Sequence, residues 1–314
     1  MNIIFMGTPK FSIPILESLA RQGNAIVGVV TRPDKPSGRG RKMEESPLKI
    51  YANHFGYKVL QPKNFRSAQA VDEISQLKPD IFVVAAYGAI LPQSLLDIPR
   101  YGVINLHPSL LPKYRGPSPV ATAILNGEAV TGISVMYLDS GIDTGPVLSQ
   151  LEEPIRSDDT TESLTTRLFS KGRDLLLTQI SLLRENHVSL TPQDSNEATM
   201  TKMLRREDGL IDFQMSAENL ERQVRAFYPW PGTYTFWDGQ MLKIIGAECV
   251  SSANSGLMPG TVIKWTENSV ICIAVVTGRE LLQLHKVQLA GKKQMEAHEF
   301  SAGHPRFEGS VLPT

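Results

Sequence analysis

Asp80-Ile81-Phe82-Val83-Val84-Ala85-Ala86 reads as one strand with no polar face. It is far too short to span a membrane, which takes about 20 apolar residues. A strand that is apolar on both sides belongs inside a parallel sheet with helices covering each face. The neighbouring chain agrees: helical spacing over 67–77 precedes the run, and a second short apolar strand over 103–106 follows it. Working outward, the pattern predicts strands over 2–6, 25–30 and 57–60 and helices over 12–21 and 47–54. Further on it predicts a helix over 119–125, strands over 132–138 and 147–152, and a long closing helix over 160–184. Strands alternating with helices of this length predict an α/β domain on a Rossmann-like parallel sheet, with any site at the strand ends.

Gly7-Thr8-Pro9 follows the first strand, yet the spacing Gly-x-Gly-x-x-Gly is absent and no acidic residue closes the second strand at Val29-Val30-Thr31. That combination argues against a dinucleotide site. Gly7 is read instead as permitting a tight turn near a ligand.

The strand over 103–106 opens into Asn105-Leu106-His107-Pro108-Ser109-Leu110-Leu111-Pro112. Asn105 and His107, two apart, project to one side at the strand's mouth. Pro108 and Pro112 keep either a helix or a ladder from continuing and leave a stiff loop. A carboxylate, Asp143, comes later in Asp139-Ser140-Gly141-Ile142-Asp143-Thr144-Gly145. Taken singly, a His after a strand is a satisfied structural residue and an Asp between glycines is a turn former. Taken together, the amide, imidazole and carboxylate suit attack of an amine on a formyl carbon, where the carbonyl oxygen becomes an oxyanion and the nitrogen sheds a proton. Asn105 and a protonated His107 can donate to that oxygen, each well-placed donor contributing about 3 kcal/mol. Asp143 can hold the imidazole charged and accept the amine proton. The chemistry needs no metal, and no His, Cys or carboxylate cluster has ligand spacing, so no tightly bound metal is expected.

These residues resemble the signature of the folate-dependent formyltransferases. The resemblance extends over nearly the whole chain, through Ile3-Ile4-Phe5-Met6-Gly7-Thr8-Pro9, the basic stretch 32–42, Ser109-Leu110-Leu111-Pro112-Lys113-Tyr114-Arg115-Gly116, residues 139–145 and Arg225-Ala226-Phe227-Tyr228-Pro229-Trp230-Pro231-Gly232-Thr233-Tyr234-Thr235. It implies formyl transfer from 10-formyltetrahydrofolate, with Asn105, His107 and Asp143 as the catalytic triad and Ser109, Leu110, Leu111 and Pro112 as the folate-binding segment. The acceptor it implies is the α-amino group of methionine esterified to initiator tRNA, for translation initiation. Two places depart from the family's pattern: Pro117-Ser118-Pro119 stands where alanines are usual, and Thr199-Met200-Thr201-Lys202 lacks an aromatic residue.

The 314 residues, 41% apolar and 20% charged, are enough for two ordinary globular domains. The chain starts directly with a strand rather than a charged and apolar leader, so a cytoplasmic protein without membrane contact is expected, and a monomer. Cys249 and Cys272 sit in strand-like apolar contexts and are read as buried thiols. With 32 Lys and Arg against 32 Asp and Glu, the zero net charge speaks against a nucleic-acid partner, but distribution matters more than the sum. Arg32, Lys35, Arg39, Arg41 and Lys42 face only Asp34 in a segment rich in Pro, Gly and Ser. One reading is a solvated surface loop. The other follows from its place after the second strand, near the strand ends, and makes these residues contacts to tRNA phosphates.

Periodicity fails between about 187 and 206, and Thr191-Pro192-Gln193-Asp194-Ser195-Asn196 reads as a linker. The expected division is a catalytic domain over 1–189, a linker over 190–206 and a C-terminal domain over 207–314. In the last, a helix over 216–227 with Ser216 as N-cap precedes short strands over 233–237, 241–245, 260–265, 270–275 and 281–287, which predict a small open barrel. The resemblance implies a barrel of the oligonucleotide-binding (OB) type. Lys243, Lys264, Lys286, Lys292 and Lys293 are candidate phosphate contacts, although twelve basic residues from Lys202 onward are matched by twelve acidic ones. Trp230 and Trp237 are read as core residues before base-stacking ones.

Other readings stay open on the sequence alone. The same chemistry serves a formyltransferase acting on a small amine, such as a glycinamide ribonucleotide or an amino sugar nucleotide, or a formyl-folate hydrolase. A non-enzymatic RNA-binding protein on a retired α/β scaffold is disfavoured by the intact Asn105, His107 and Asp143.

Overall fold

Apolar alternation and helix capping lay out the first half of the chain. The structure, a computed structural model, describes residues 1–37, 42–251, 256–267 and 270–314. In order come β1 (Asn2–Gly7), α1 (Ile13–Arg21), β2 (Ala25–Val30), β3 (Lys35–Ser37), β4 (Lys42–Glu44), α2 (Pro47–His54), β5 (Val59–Leu60), α3 (Ala68–Ser75) and β6 (Ile81–Ala85). Then follow α4 (Gln93–Leu96), β7 (Val103–His107), α5 (Pro119–Leu125), β8 (Val130–Tyr137), β9 (Val147–Pro154) and α6 (Thr161–Arg184). Ser46 and Ser67 cap α2 and α3, their hydroxyls accepting the N–H of Lys49 at 3.1 Å and of Ala70 at 3.3 Å.

The chain divides into two compact units. The first comprises Met1–Pro119, Val130–Pro154 and Thr165–Lys202; the second comprises Val120–Ala129, Ile155–Leu164 and Met203–Thr314.

In the first unit seven strands form one sheet in the order β5-β2-β1-β6-β7-β8-β9. Every residue of β6 is buried, as its apolar run requires. Ile4, Met6, Phe82 and Val84 share one core cluster with Ile74 of α3 and Leu95 and Leu96 of α4, while the alternate residues Ile3, Phe5, Ile81 and Val83 are also fully buried. The five strands from β5 to β7 pair in parallel, whereas β8 and β9 are antiparallel. Periodicity does not reveal this turn of direction. The connection from β8 to β9, residues 138–146, falls short of the dozen or so residues a parallel crossover takes. The sheet grows from β1 to one side and then, with β6, to the other, which opens a crevice at the C-terminal strand ends. Gly7 lies at that point, though the need for glycine is packing rather than a turn: a Cβ there would sit 2.9 Å from both the Ala85 carbonyl and the Ser12 hydroxyl.

Residues 191–201 of the stretch read as a linker lie along this unit as an extended strap. Val147 and Thr191 exchange both backbone hydrogen bonds at 2.9 Å. Thr199 donates to the Pro112 carbonyl at 3.3 Å and accepts from Arg115 at 2.9 Å, and Thr201 donates to the Arg115 carbonyl at 2.7 Å.

The second unit contains α7 (Ala217–Ala226), β10 (Thr233–Trp237), β11 (Gln240–Val250), β12 (Val262–Glu267), β13 (Val270–Val276), β14 (Leu281–Leu289), β15 (Met295–Glu296) and α8 (Ala297–Gly303). Its strands run antiparallel in the order β10-β11-β14-β13-β12, with β15 on β14. Ser216 caps α7 as expected, accepting from Asn219 at 3.3 Å. Trp237 is a core residue, edge-on to Phe300 and Phe307. Trp230 is not: 56% of it is exposed. Both cysteines are free thiols, Cys272 buried and Cys249 half-buried. Burial, followed by the adjacent Glu280, pushes the Cys249 thiol up to about 12.

Candidate active site

His107 is the last residue of β7 and is 4% exposed, so it is part of the wall rather than the rim. Asn105, two residues earlier and half-buried, faces the same side; its backbone lies between Val84 of β6 and Met136 of β8. Nε2 of His107 is 2.9 Å from the Tyr114 carbonyl oxygen, and Nδ1 is 3.5 Å from Oδ2 of Asp143. The same Asp143 oxygen accepts the Gly116 N–H at 2.8 Å. The structure thus brings His107 and Asp143 together, with Asn105 two residues before His107 on the same side of β7. It adds that both ring nitrogens already face protein acceptors, so a substrate oxygen must draw one of them away. The Asn105 amide has no hydrogen-bond partner among the described residues.

Both acceptors of His107 sit on strained backbone. Tyr114 has φ +61 and Asp143 has φ +52, left-handed conformations that cost a non-glycine residue on the order of 1 kcal/mol or more and persist where surroundings over-determine them. For Asp143 the surroundings are a cage. Asp139 takes the Gly141 N–H at 3.0 Å and the Thr144 hydroxyl at 2.6 Å, and Gly145 is pressed so closely on the Tyr137 carbonyl that any Cβ would collide with it. Gln193 donates to the carbonyls of Asp143 and Gly145.

The loop after β7 is fixed by Ser134, whose register on β8 is opposite His107. Its hydroxyl donates to the Ser109 carbonyl at 2.6 Å and accepts from the Leu111 N–H at 3.2 Å and the Gln150 amide at 2.9 Å. Gln150 also donates to the Leu111 carbonyl at 2.8 Å. Of the four residues expected to bind folate, Ser109 and Leu111 are buried: the Ser109 hydroxyl donates to the Lys113 carbonyl at 2.7 Å and Leu111 packs on Met136 and Val147. They shape the loop, and Leu110 and Pro112 are its half-exposed members. Ser134, Gln150, Arg115, Gln193, Thr199 and Thr201 escape sequence reasoning because each is a polar residue whose partners are set by the fold, and no motif or spacing in the sequence marks its role.

The basic stretch has structure of its own. Its described arms pair as a two-stranded ribbon, Lys35 opposite Glu44 and Pro36 opposite Met43, rather than as an open loop. Arg32 is an anchor: its Nη1 donates to the Gly88 carbonyl at 3.0 Å. Asp34 is bound by Gln61 at 2.7 Å and by Lys49 at 2.5 Å, and these two hold its carboxyl below the usual range. Its charge is therefore spent on Lys49. Lys35 is exposed; Arg39 and Arg41, and the side chain of Lys42, lie outside the described residues. In the second unit Lys264 and Lys286 pair with Glu308 and Glu296 at 3.7 Å, and Lys243, Lys292 and Lys293 are exposed. Among the described residues no group of His, Cys, Asp and Glu is arranged to hold a metal, and no helix is long and apolar enough to cross a membrane.

Two family profiles match: "Formyl transferase" over residues 1–180 and "Formyl transferase, C-terminal domain" over 203–305. The chain belongs to the formyl transferase family. A methionyl-tRNA formyltransferase of Chloroflexus aggregans is 44% identical to it over 303 residues, 96% of this chain and 97% of that one. One of Alkaliphilus oremlandii is 40% identical over 99% of both. Among solved structures, HypX from Aquifex aeolicus in complex with tetrahydrofolic acid shares the formyl transferase fold with a TM-score of 0.67 at 16% identity, over 96% of this chain and 47% of that one. The sugar 3N-formyl transferase WlaRD gives 0.65 at 19% identity, over 93% and 99%.

Proposed function

We propose that this formyl transferase moves the formyl group of 10-formyltetrahydrofolate to the α-amino group of methionine esterified to initiator tRNA. The observation that carries the reaction is the grouping of Asn105, His107 and Asp143 at the end of β7, with the imidazole between a carboxylate and a carbonyl. The acceptor is supported by full-length relatives at 40–45% identity that are named for it.

The amine nitrogen attacks the formyl carbon, a C–N bond forms, and the carbonyl electron pair moves onto oxygen. The Asn105 amide donates to that oxygen, joined by a His107 N–H that turns from its protein acceptor. Asp143 takes the proton the new ammonium sheds, and the His107 ring beside it holds the carboxylate in place. Collapse of the tetrahedral species breaks the bond to N10 of the folate, and the proton taken up by Asp143 passes to that nitrogen as it leaves. Leu110 and Pro112 offer the half-exposed apolar surface for the donor, and Ser109 and Leu111 set its shape. The basic stretch with Lys35, Arg39, Arg41 and Lys42, together with the second unit, carries the tRNA. The proposed enzyme keeps the expected monomeric state and the expected place in the cytoplasm.

The test supplies labelled formyl donor with methionyl-tRNA, a small amine or water. Label on the methionyl-tRNA is the expected result. Label taken only by a small amine or released to water overturns the acceptor.

A further inference from the structure

We propose that Gln193 is a positioning residue for formyl transfer, holding Asp143 where it faces His107; this rests on the reading of Asn105, His107 and Asp143 as the transfer site. Both N–H groups of its amide are used on this one turn. The Nε2 group donates to the Asp143 carbonyl at 2.8 Å and to the Gly145 carbonyl at 2.7 Å, bracketing the turn. The Oε1 atom accepts from Nε of Arg115 at 3.0 Å, and Arg115 is itself 5% exposed.

The next residue after Arg115 completes a ring. Gly116 gives its N–H to Oδ2 of Asp143 at 2.8 Å. The backbone of Asp143 is thus gripped by Gln193 and its carboxylate by Gly116, and Arg115 ties the two grips together. A residue at φ +52 stays there only under such constraint. The stake is orientation: Oδ2 and the His107 ring are 3.5 Å apart, at the limit where a small tilt of the carboxylate decides whether it reaches imidazole and amine. A misplacement of about 1 Å at such a group costs about 10²-fold in rate.

Gln193 is suited to the task because it has both kinds of group. Glutamate in its place keeps an acceptor for the buried Arg115 but has no N–H for the two carbonyls. Methionine has the length and neither group, and leaves the Arg115 N–H without a partner, which costs stability.

The experiment compares full-length wild type, Gln193→Glu and Gln193→Met by steady-state kinetics, donor titration, thermal melting and ¹⁵N spectra of selectively labelled histidine. Gln193→Glu is expected to bind donor as wild type does while kcat per folded enzyme falls by about 10- to 100-fold, with the His107 ring resonances displaced. Gln193→Met loses kcat to a similar degree and melts lower as well. Wild-type kcat in Gln193→Glu with unmoved His107 resonances overturns the proposal, as does a loss of kcat in both variants that only follows the loss of folded protein. If the wild-type enzyme makes no formylmethionyl-tRNA, the functional reading fails, and the His107 resonances still decide the role of Gln193.

Discussion

The backbone N–H of Ser118 donates to the hydroxyl of Thr201 at 3.1 Å, tying the loop after β7 to the strap. Proline has no N–H, so Ser118 carries the one backbone donor in Pro117-Ser118-Pro119. Thr201 supplies its acceptor, while donating the same hydroxyl to the Arg115 carbonyl at 3.0 Å. Thr199 does likewise for Tyr114, whose N–H reaches its hydroxyl at 2.7 Å.

Thr201→Val therefore keeps the shape and orphans a half-buried donor, at a cost of about 1–3 kcal/mol. Calorimetry should show a melting temperature several degrees lower, and Thr201→Ser should restore most of it. An unchanged melting temperature in Thr201→Val would mean that water replaces the hydroxyl.

Burial of His107 changes what its removal does. His107→Ala should cut turnover about 10²–10⁴-fold, and it should also destabilise the fold, because the Tyr114 carbonyl loses its donor. Asp143→Asn preserves an acceptor for Gly116 and should lower turnover strongly with little change in melting. Single-turnover transfer and melting curves on the two variants check both halves; more than half the wild-type rate in either would remove that residue from the reaction.

Glu153 links stability to acid. Burial alone would push its carboxyl up, but the Lys171 ammonium and the Arg167 guanidinium, the latter at 2.7 Å, bring it below its ordinary 4.5. A carboxyl lowered on folding contributes stability that is present above its unfolded value and lost as pH falls through the folded one. The window therefore lies below about pH 4.5. Denaturant titrations should show Glu153→Gln less stable than wild type at neutral pH, with the gap closing in that acid range. A gap that stays constant with pH would show that lost packing, not charge, is responsible.

The ribbon makes a separable prediction. Replacing Lys35, Arg39, Arg41 and Lys42 with Ala should weaken tRNA affinity and flatten its dependence on salt, each lost phosphate contact reducing the slope by about 1. Arg32→Ala should act on stability instead, since that guanidinium holds the Gly88 carbonyl. Transfer rates at several salt concentrations, with donor binding alongside, distinguish the two; an unaltered slope in the fourfold variant would return the ribbon to plain surface.

Much of this was legible before any coordinates. The strands at Ala25–Val30 and Thr233–Trp237 and the helices at Pro47–His54 and Pro119–Leu125 end where periodicity and proline place them. Asn105 and His107 share a side because alternation on a strand is a local rule. The antiparallel turn of β8 and the four-residue α4 were not legible, since strand direction is a long-range choice and one turn of helix has no period. Nor was the strap. Residues 191–201 look like loop because the hydrogen bonds that hold Thr191, Gln193, Thr199 and Thr201 go to chain far away, and composition records nothing about partners 50 or 85 residues back.

That distance has a consequence for synthesis. A ribosome delivers Asn105, His107 and Asp143 first, then a further 50 residues before Gln193 can reach Asp143, and Tyr114 waits 85 residues for Thr199. A nascent chain that stalls in between has the Ser134 and Asp139 contacts that shape the site but not those of the strap, so on the proposed reading full competence arrives with residues 191–201 rather than with Asn105, His107 and Asp143 themselves.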